Sequence, residues 1–215
     1  MSENNGAAAE LFLLLAVFWH PPDEEFMDEL NCGSLDADIA RLGSQADYIP
    51  WWEACMTFRF MAPSLGSLQK FHNDHINGTG KASILPVESL YKRWTEDPTA
   101  RLPIAGSTGY LMGDAAMHVQ YLLDFYGLSV PPAYRMMPDH LVLLLELTAF
   151  LLKNQALNES HLFISQHLDW LDSLAHSLAE LSCDDMAGQQ AQKFYQFALQ
   201  ALQKTVACEL AKANQ

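Results

Sequence analysis

Several groups of side chains in this 215-residue sequence could do chemistry. Asp139 and His140, adjacent in Met137-Pro138-Asp139-His140, could act as an acid/base pair or as hydrogen-bonding groups toward a ligand. His72 and His75 stand three apart on a helical stretch, a spacing at which two imidazoles could ligate a metal, but no third ligand accompanies them. Ser89 has no evident base or oxyanion partner. Gly78-Thr79-Gly80-Lys81 lacks both the full phosphate-loop pattern and a preceding strand. No metal, nucleotide or other cofactor is therefore expected, and an enzymatic reading rests on Asp139 with His140 or on the histidine pair. His161, His167 and His176 are read as structural.

What must position Asp139 and His140 is the stretch that follows them. Leu141 to Leu152 is apolar except for Glu146 and Thr148. Proline suits a first helical position and Asp139 suits a first turn, so a helix is expected to start at Pro138. A helix apolar on nearly all sides should be enclosed by others, with only its N-terminal turn, Asp139 and His140 included, at the mouth of the core. The plainer reading of the same pattern is a capped core helix.

Half the residues are hydrophobic, and 26 acidic against 12 basic residues give a net charge of -14. That balance disfavours nucleic acid and anionic membranes and favours a cationic partner, although acidity also keeps an apolar-rich chain soluble. Cys32, Cys55, Cys183 and Cys208 are scattered, which signals neither a disulfide framework nor a zinc site. Met1 to Gly6 lacks a basic signal-type segment, and the apolar run from Leu11 to Trp19 is too short to span a bilayer, so a cytoplasmic protein without stable membrane insertion is expected.

Residues 7–19 read as a core helix ended by Pro21-Pro22, and 23–30 and 35–42 as two short amphipathic helices. Residues 50–77 read as helical with a break near Pro63-Ser64 and Gly66, and Trp51, Trp52, Phe58, Phe60 and Phe71 there as mostly core. A long loop to about Gly109 follows, with one helical turn around Glu88 to Trp94, and loops of that length are often functional. Helices are expected over 110–126, over the stretch carrying Ile164 to Leu178, and over 185–212, with a hinge at 127–136. No strand pattern competes, so the fold is expected to be all-α, a single bundle-like domain of about eight to ten helices over 1–215.

Four pieces of the chain together resemble the TorD/DmsD family of redox-enzyme maturation chaperones, which includes the more distant NarJ-type proteins. They are Leu85-Pro86-Val87-Glu88-Ser89-Leu90-Tyr91, Gly113-Asp114-Ala115-Ala116 leading to Tyr126-Gly127-Leu128, Pro138-Asp139-His140 with Leu145-Glu146-Leu147, and His167-Leu168-Asp169-Trp170-Leu171. The resemblance implies a cytoplasmic, all-helical, non-enzymatic protein, monomer or homodimer. Its partner would be the twin-arginine signal peptide on the apo-form of a molybdenum oxidoreductase catalytic subunit, whose export it delays while cofactor is inserted. Met137 stands where many relatives carry an acidic residue, and Val87 where some carry an aromatic one.

Such a leader offers two guanidinium groups and then an apolar segment, so its receptor needs carboxylates beside an apolar groove. With the resemblance, the expected peptide-binding residues are Asp139, His140, Pro138 and Glu146 on one wall and Glu88, Ser89, Tyr91 and Trp94 on the other. Asp139 and Glu146, seven apart, would share a helix face about 10 Å apart along the axis. Glu146 could instead be tied up by an internal partner.

Overall fold

The computed structural model describes residues 3–48, 58, 62–78, 80, 83–154 and 157–213. The chain is all-α, and β pairing among these residues is confined to an isolated bridge between Val87 and His140. At the centre lie α1 (Glu3–Val17) and α7 (Leu141–Asn154). Both are apolar on several sides, so both are enclosed. Leu11, Phe12 and Leu15 of α1 and Leu141, Leu144 and Leu145 of α7 are fully or almost fully buried. The small side chains Ala7, Ala8 and Ala9 are also buried, and α1 packs most extensively on α7, then on α3 (Ser34–Gln45) and α10 (Met186–Lys212).

Local chemistry sets most of the other ends. Asp23 caps α2 (Glu24–Cys32) by accepting from the Phe26 N–H at 2.9 Å, and Gly33, at φ 80°, turns the chain directly into α3. The break expected near Pro63 is present, with Ser64 capping α4 (Leu65–Phe71), which runs into a π-helical turn over His72–Ile76. Of the aromatics there, Phe58 packs on Phe18 and Phe197, and Phe71 stacks on Tyr195. Trp51, Trp52, Phe60, Thr79 and Lys81 lie outside the described residues. After α5 (Glu88–Tyr91), the stretch to Gly113 holds no further helix.

Three boundaries differ from the sequence reading. The helix expected from Tyr110 begins only at Asp114, as α6 (Asp114–Phe125), because Gly109 and Met112 adopt positive φ angles of 87° and 60°. The single helix expected through Ile164 and Leu178 is two, α8 (Leu157–His167) and α9 (Leu171–Glu180), separated at Leu168 to Trp170. The central helix starts at Leu141 rather than Pro138.

A buried polar clasp ties the last helix to the body. Glu209 of α10 accepts from the Tyr48 hydroxyl, lies 2.9 Å from His161 Nε2 on α8 and accepts from Lys212 Nζ at 2.9 Å. Burial raises the Glu209 carboxyl, but the Tyr48 hydroxyl and Lys212 outweigh it and hold the group below its ordinary value. No helix among the described residues is long and apolar enough to cross a membrane.

Candidate functional site

The short helix α5 docks on the segment Pro138 to His140. Glu88 N–H donates to the Asp139 carbonyl at 3.1 Å, Ser89 N–H donates to Asp139 Oδ2 at 2.6 Å, and Leu141 N–H returns to the Pro86 carbonyl at 2.8 Å. Asp139 therefore does for α5 what a capping carboxylate does for a helix, although it is fifty residues away in sequence. His140 caps the central helix. Its carbonyl accepts from Leu144 N–H and its ring Nδ1 accepts from Val142 N–H at 3.2 Å, which leaves the proton of the neutral ring on Nε2.

This junction corrects the expectation that Asp139 and His140 stand at the mouth of the core. Pro138, Asp139, His140, Glu88 and Ser89 are all brought together, and all are buried. Burial raises the Asp139 carboxyl above its usual range against the opposing Ser89 hydrogen bonds. Burial, reinforced by His20 and His72, drives His140 down to about 3, and the Tyr134 ring lies 4.7 Å from it. Asp139 and Glu146 do not share a helix face, because Asp139 precedes the helix and is enclosed while Glu146 is exposed. Tyr91 stacks on Trp170 at 5.0 Å and is pushed up to about 12 by burial, and Trp94 donates from Nε1 to the Leu111 carbonyl at 3.3 Å.

His72 and His75 do not converge. His72 Nδ1 faces the Tyr195 hydroxyl at 3.2 Å, and burial takes it down to about 4, while the His75 ring packs on Phe71. Among the described residues no group of three or more His, Cys, Asp or Glu side chains is arranged to hold a metal ion.

The side of Glu88 facing away from the junction opens a second network. Its Oε2 lies 2.8 Å from His167 Nδ1 and its Oε1 2.8 Å from Lys92 Nζ, which also reaches Asp169 Oδ1 at 2.6 Å. His167 Nε2 in turn meets His118 Nδ1 at 2.8 Å. Partial desolvation and then His167 hold His118 below its ordinary value, against the pull of Glu88. Sequence reasoning missed Lys92 and His118. The available signals were helical spacings, Glu88 to Lys92 and Asp114 to His118, each four residues apart.

Glu88, Lys92, His118 and His167 line a cleft of about 440 Å³ whose walls also include Arg93, Glu96 and Asp114. Asp114 holds the long loop against α6, its Oδ2 accepting from Thr95 Oγ1 at 2.7 Å and from Glu96 N–H at 3.0 Å. Gly113 is required at this crossing, since a Cβ there would come within 2.6 Å of the Trp94 carbonyl oxygen. His118 and Gln166 belong both to this cleft and to an adjoining apolar groove of about 170 Å³ formed with Leu122, Tyr126, Leu151 and Phe163. An opening in which Glu88, Glu96 and Asp114 stand with Lys92 and Arg93 thus continues into an apolar one between α6 and α8.

No curated protein and no solved structure matches the chain. A family model described as nitrate reductase delta subunit matches residues 33–182, a span that contains the junction, the cleft and the groove. Its members are non-catalytic chaperones of redox-enzyme maturation that interact with nitrate reductase-type molybdenum enzymes. Matched over well more than half its length, the chain belongs to the nitrate reductase delta subunit family of NarJ/TorD-like chaperones.

Proposed function

We propose that this chaperone works in the cytoplasm, binding the twin-arginine signal peptide of an apo molybdenum oxidoreductase subunit and delaying its export while cofactor is inserted. The observation that carries this reading is the continuity of a cleft bearing the exposed carboxylates Glu96 and Asp114 with an apolar groove, the pairing of surfaces that two arginines followed by an apolar segment require. The arginines meet Glu96 and Asp114 at the rim, with Glu88 as the buried floor. Arg93 already lies 3.8 Å from Glu96, but both side chains are largely exposed. An exposed pair of that kind is worth about 0 to 1 kcal/mol, so an incoming guanidinium displaces it at little cost. Asp139 and His140 contribute from behind by holding α5, and Trp94 by shaping the loop.

Calorimetric titration with a synthetic leader peptide bearing two adjacent arginines tests the reading. Binding should weaken at least tenfold when both arginines become alanine, weaken with added salt, and fall several-fold in Glu96→Gln. No binding to the wild-type protein, or equal binding of the alanine peptide, overturns it.

A further inference from the structure

The exposed face of α6 carries Met117, Tyr121 and Phe125 at spacings of four, with 55, 62 and 67% of their surfaces open. Residues at that spacing stand above one another on a helix, so the three form a stripe, and the rings of Tyr121 and Phe125 stack at 6.2 Å. Leu162, 57% exposed on α8, faces outward as well, and between the two helices lies the groove floored by Leu122 and Phe163. α6 leads away from the cleft and α8 leads back into it, since Asp114 and His167 line the cleft while Tyr126 and Glu159 line the groove. A continuous apolar face of this kind, rimmed by Asp124 and Glu159, marks an interaction surface.

We infer that this α6–α8 face docks the apolar segment that follows the two arginines as a helix of about two turns, its N-terminal end at His118 and its C-terminal end at Tyr126. The inference rests on the signal-peptide reading above and adds the surface, the conformation and the direction. From His118 to Tyr126 is about 12 Å along α6, the length of two helical turns. Conformation follows from polar-group accounting. The groove offers no strand edge, so an extended chain would bury unpaired backbone groups, whereas a helix satisfies its own. Direction follows from chain order, because the arginines precede the apolar segment and the groove joins the cleft at His118 and Gln166, so arginines held by Glu96 and Asp114 leave the N-terminal end of the bound helix at His118. A second copy of this chain is disfavoured as occupant, since each copy carries a net charge of -14.

The probe is a synthetic peptide of two adjacent arginines followed by three helical turns of leucine and alanine, titrated by fluorescence anisotropy. Tyr121→Ser combined with Phe125→Ser, both at exposed sites, should melt within a few degrees of wild type yet bind the probe at least tenfold more weakly. The same double variant should bind a control peptide, with serine for leucine, as wild type does. Proline in the middle of the apolar segment should also cost at least tenfold. If both arginines are needed but neither the double variant nor the proline changes affinity, the docking inference fails and the signal-peptide reading stands. If the arginines are not needed, or nothing binds, that reading fails and the inference with it. A wild-type dimer in sedimentation velocity that Phe125→Ser dissociates would identify a second copy as the occupant and overturn the inference.

Discussion

His140 should make the protein sensitive to mild acid in a way that one substitution isolates. Its ring Nδ1 accepts from Val142 N–H, so protonation at Nδ1 would replace the acceptor that caps the central helix with a donor facing a donor. Burial compounds this by holding the folded-state value at about 3 against an ordinary 6.5. A histidine whose folded value is depressed contributes stability that is present above its unfolded value and lost as pH falls toward the folded one. The window here is therefore pH 6.5 down to about 3. At about 1.4 kcal/mol per tenfold change in protonation, the whole displacement is worth at most about 5 kcal/mol. Between pH 7 and pH 5 the unfolded histidine gains its proton while the folded one stays neutral, a loss of about 2 kcal/mol.

The assay is urea unfolding of wild type and His140→Asn at pH 7 and pH 5. Asparagine keeps a capping acceptor and does not titrate, so the variant is less stable at pH 7 through lost ring packing but loses about 2 kcal/mol less than wild type on acidification. His72, held down to about 4, acts in the same direction in both proteins and cancels in the comparison. Equal losses in the two proteins would refute the assignment of a neutral, buried His140.

Asp139 has the opposite sign. Its carboxyl is raised by burial, so its charge costs stability at neutral pH, and that cost shrinks as pH falls. Asp139→Asn, which keeps an acceptor for Ser89 N–H, should change stability by less than about 1 kcal/mol, whereas Asp139→Ala leaves that buried donor unpaired and should cost about 1 to 3 kcal/mol in urea unfolding. Glu209→Gln should lower stability by roughly 3 kcal/mol at pH 7, because Tyr48, His161 and Lys212 all turn toward the carboxylate. The difference from wild type should shrink as pH falls through the lowered Glu209 value, which the same titration at pH 7 and pH 4 reads. Gly113→Ala should detach the long loop from α6, seen as faster amide hydrogen exchange at Thr95 and Glu96, while the melting temperature changes little.

The central helix was legible because its burial is written into consecutive residues. Leu141 to Leu152 could only be enclosed, and in the structure nearly all of them are. Its start was misplaced by three residues because proline and aspartate suit a helix's first turn and a tight turn equally, and the competing use was made by a partner fifty positions away. The internal partner that a carboxylate within an apolar helix suggests is not needed for Glu146, because a helix buried on most sides still keeps one outward strip, and Glu146 occupies it. The division of α8 from α9 left no clear mark, since the apolar spacing carries across Leu168 and Leu171 without interruption. Lys92, His118, Asp114 and Asp169 act through pairings that cross from one element to another, which periodicity does not record.

The buried motif and the open cleft are one device. A four-residue helix such as α5 cannot sustain itself, since fixing its first turn costs more than the few hydrogen bonds it gains. It persists because Asp139 holds its N-terminal N–H groups on one side while His167 and Lys92 hold Glu88 on the other. Removing the first hold should therefore alter the second, and Asp139→Ala should weaken binding of an arginine-bearing peptide without any contact between Asp139 and that peptide. A fall in binding would trace to the hold of Asp139 on α5 rather than to contact with the peptide, because the floor of the cleft is built on the cap of the core.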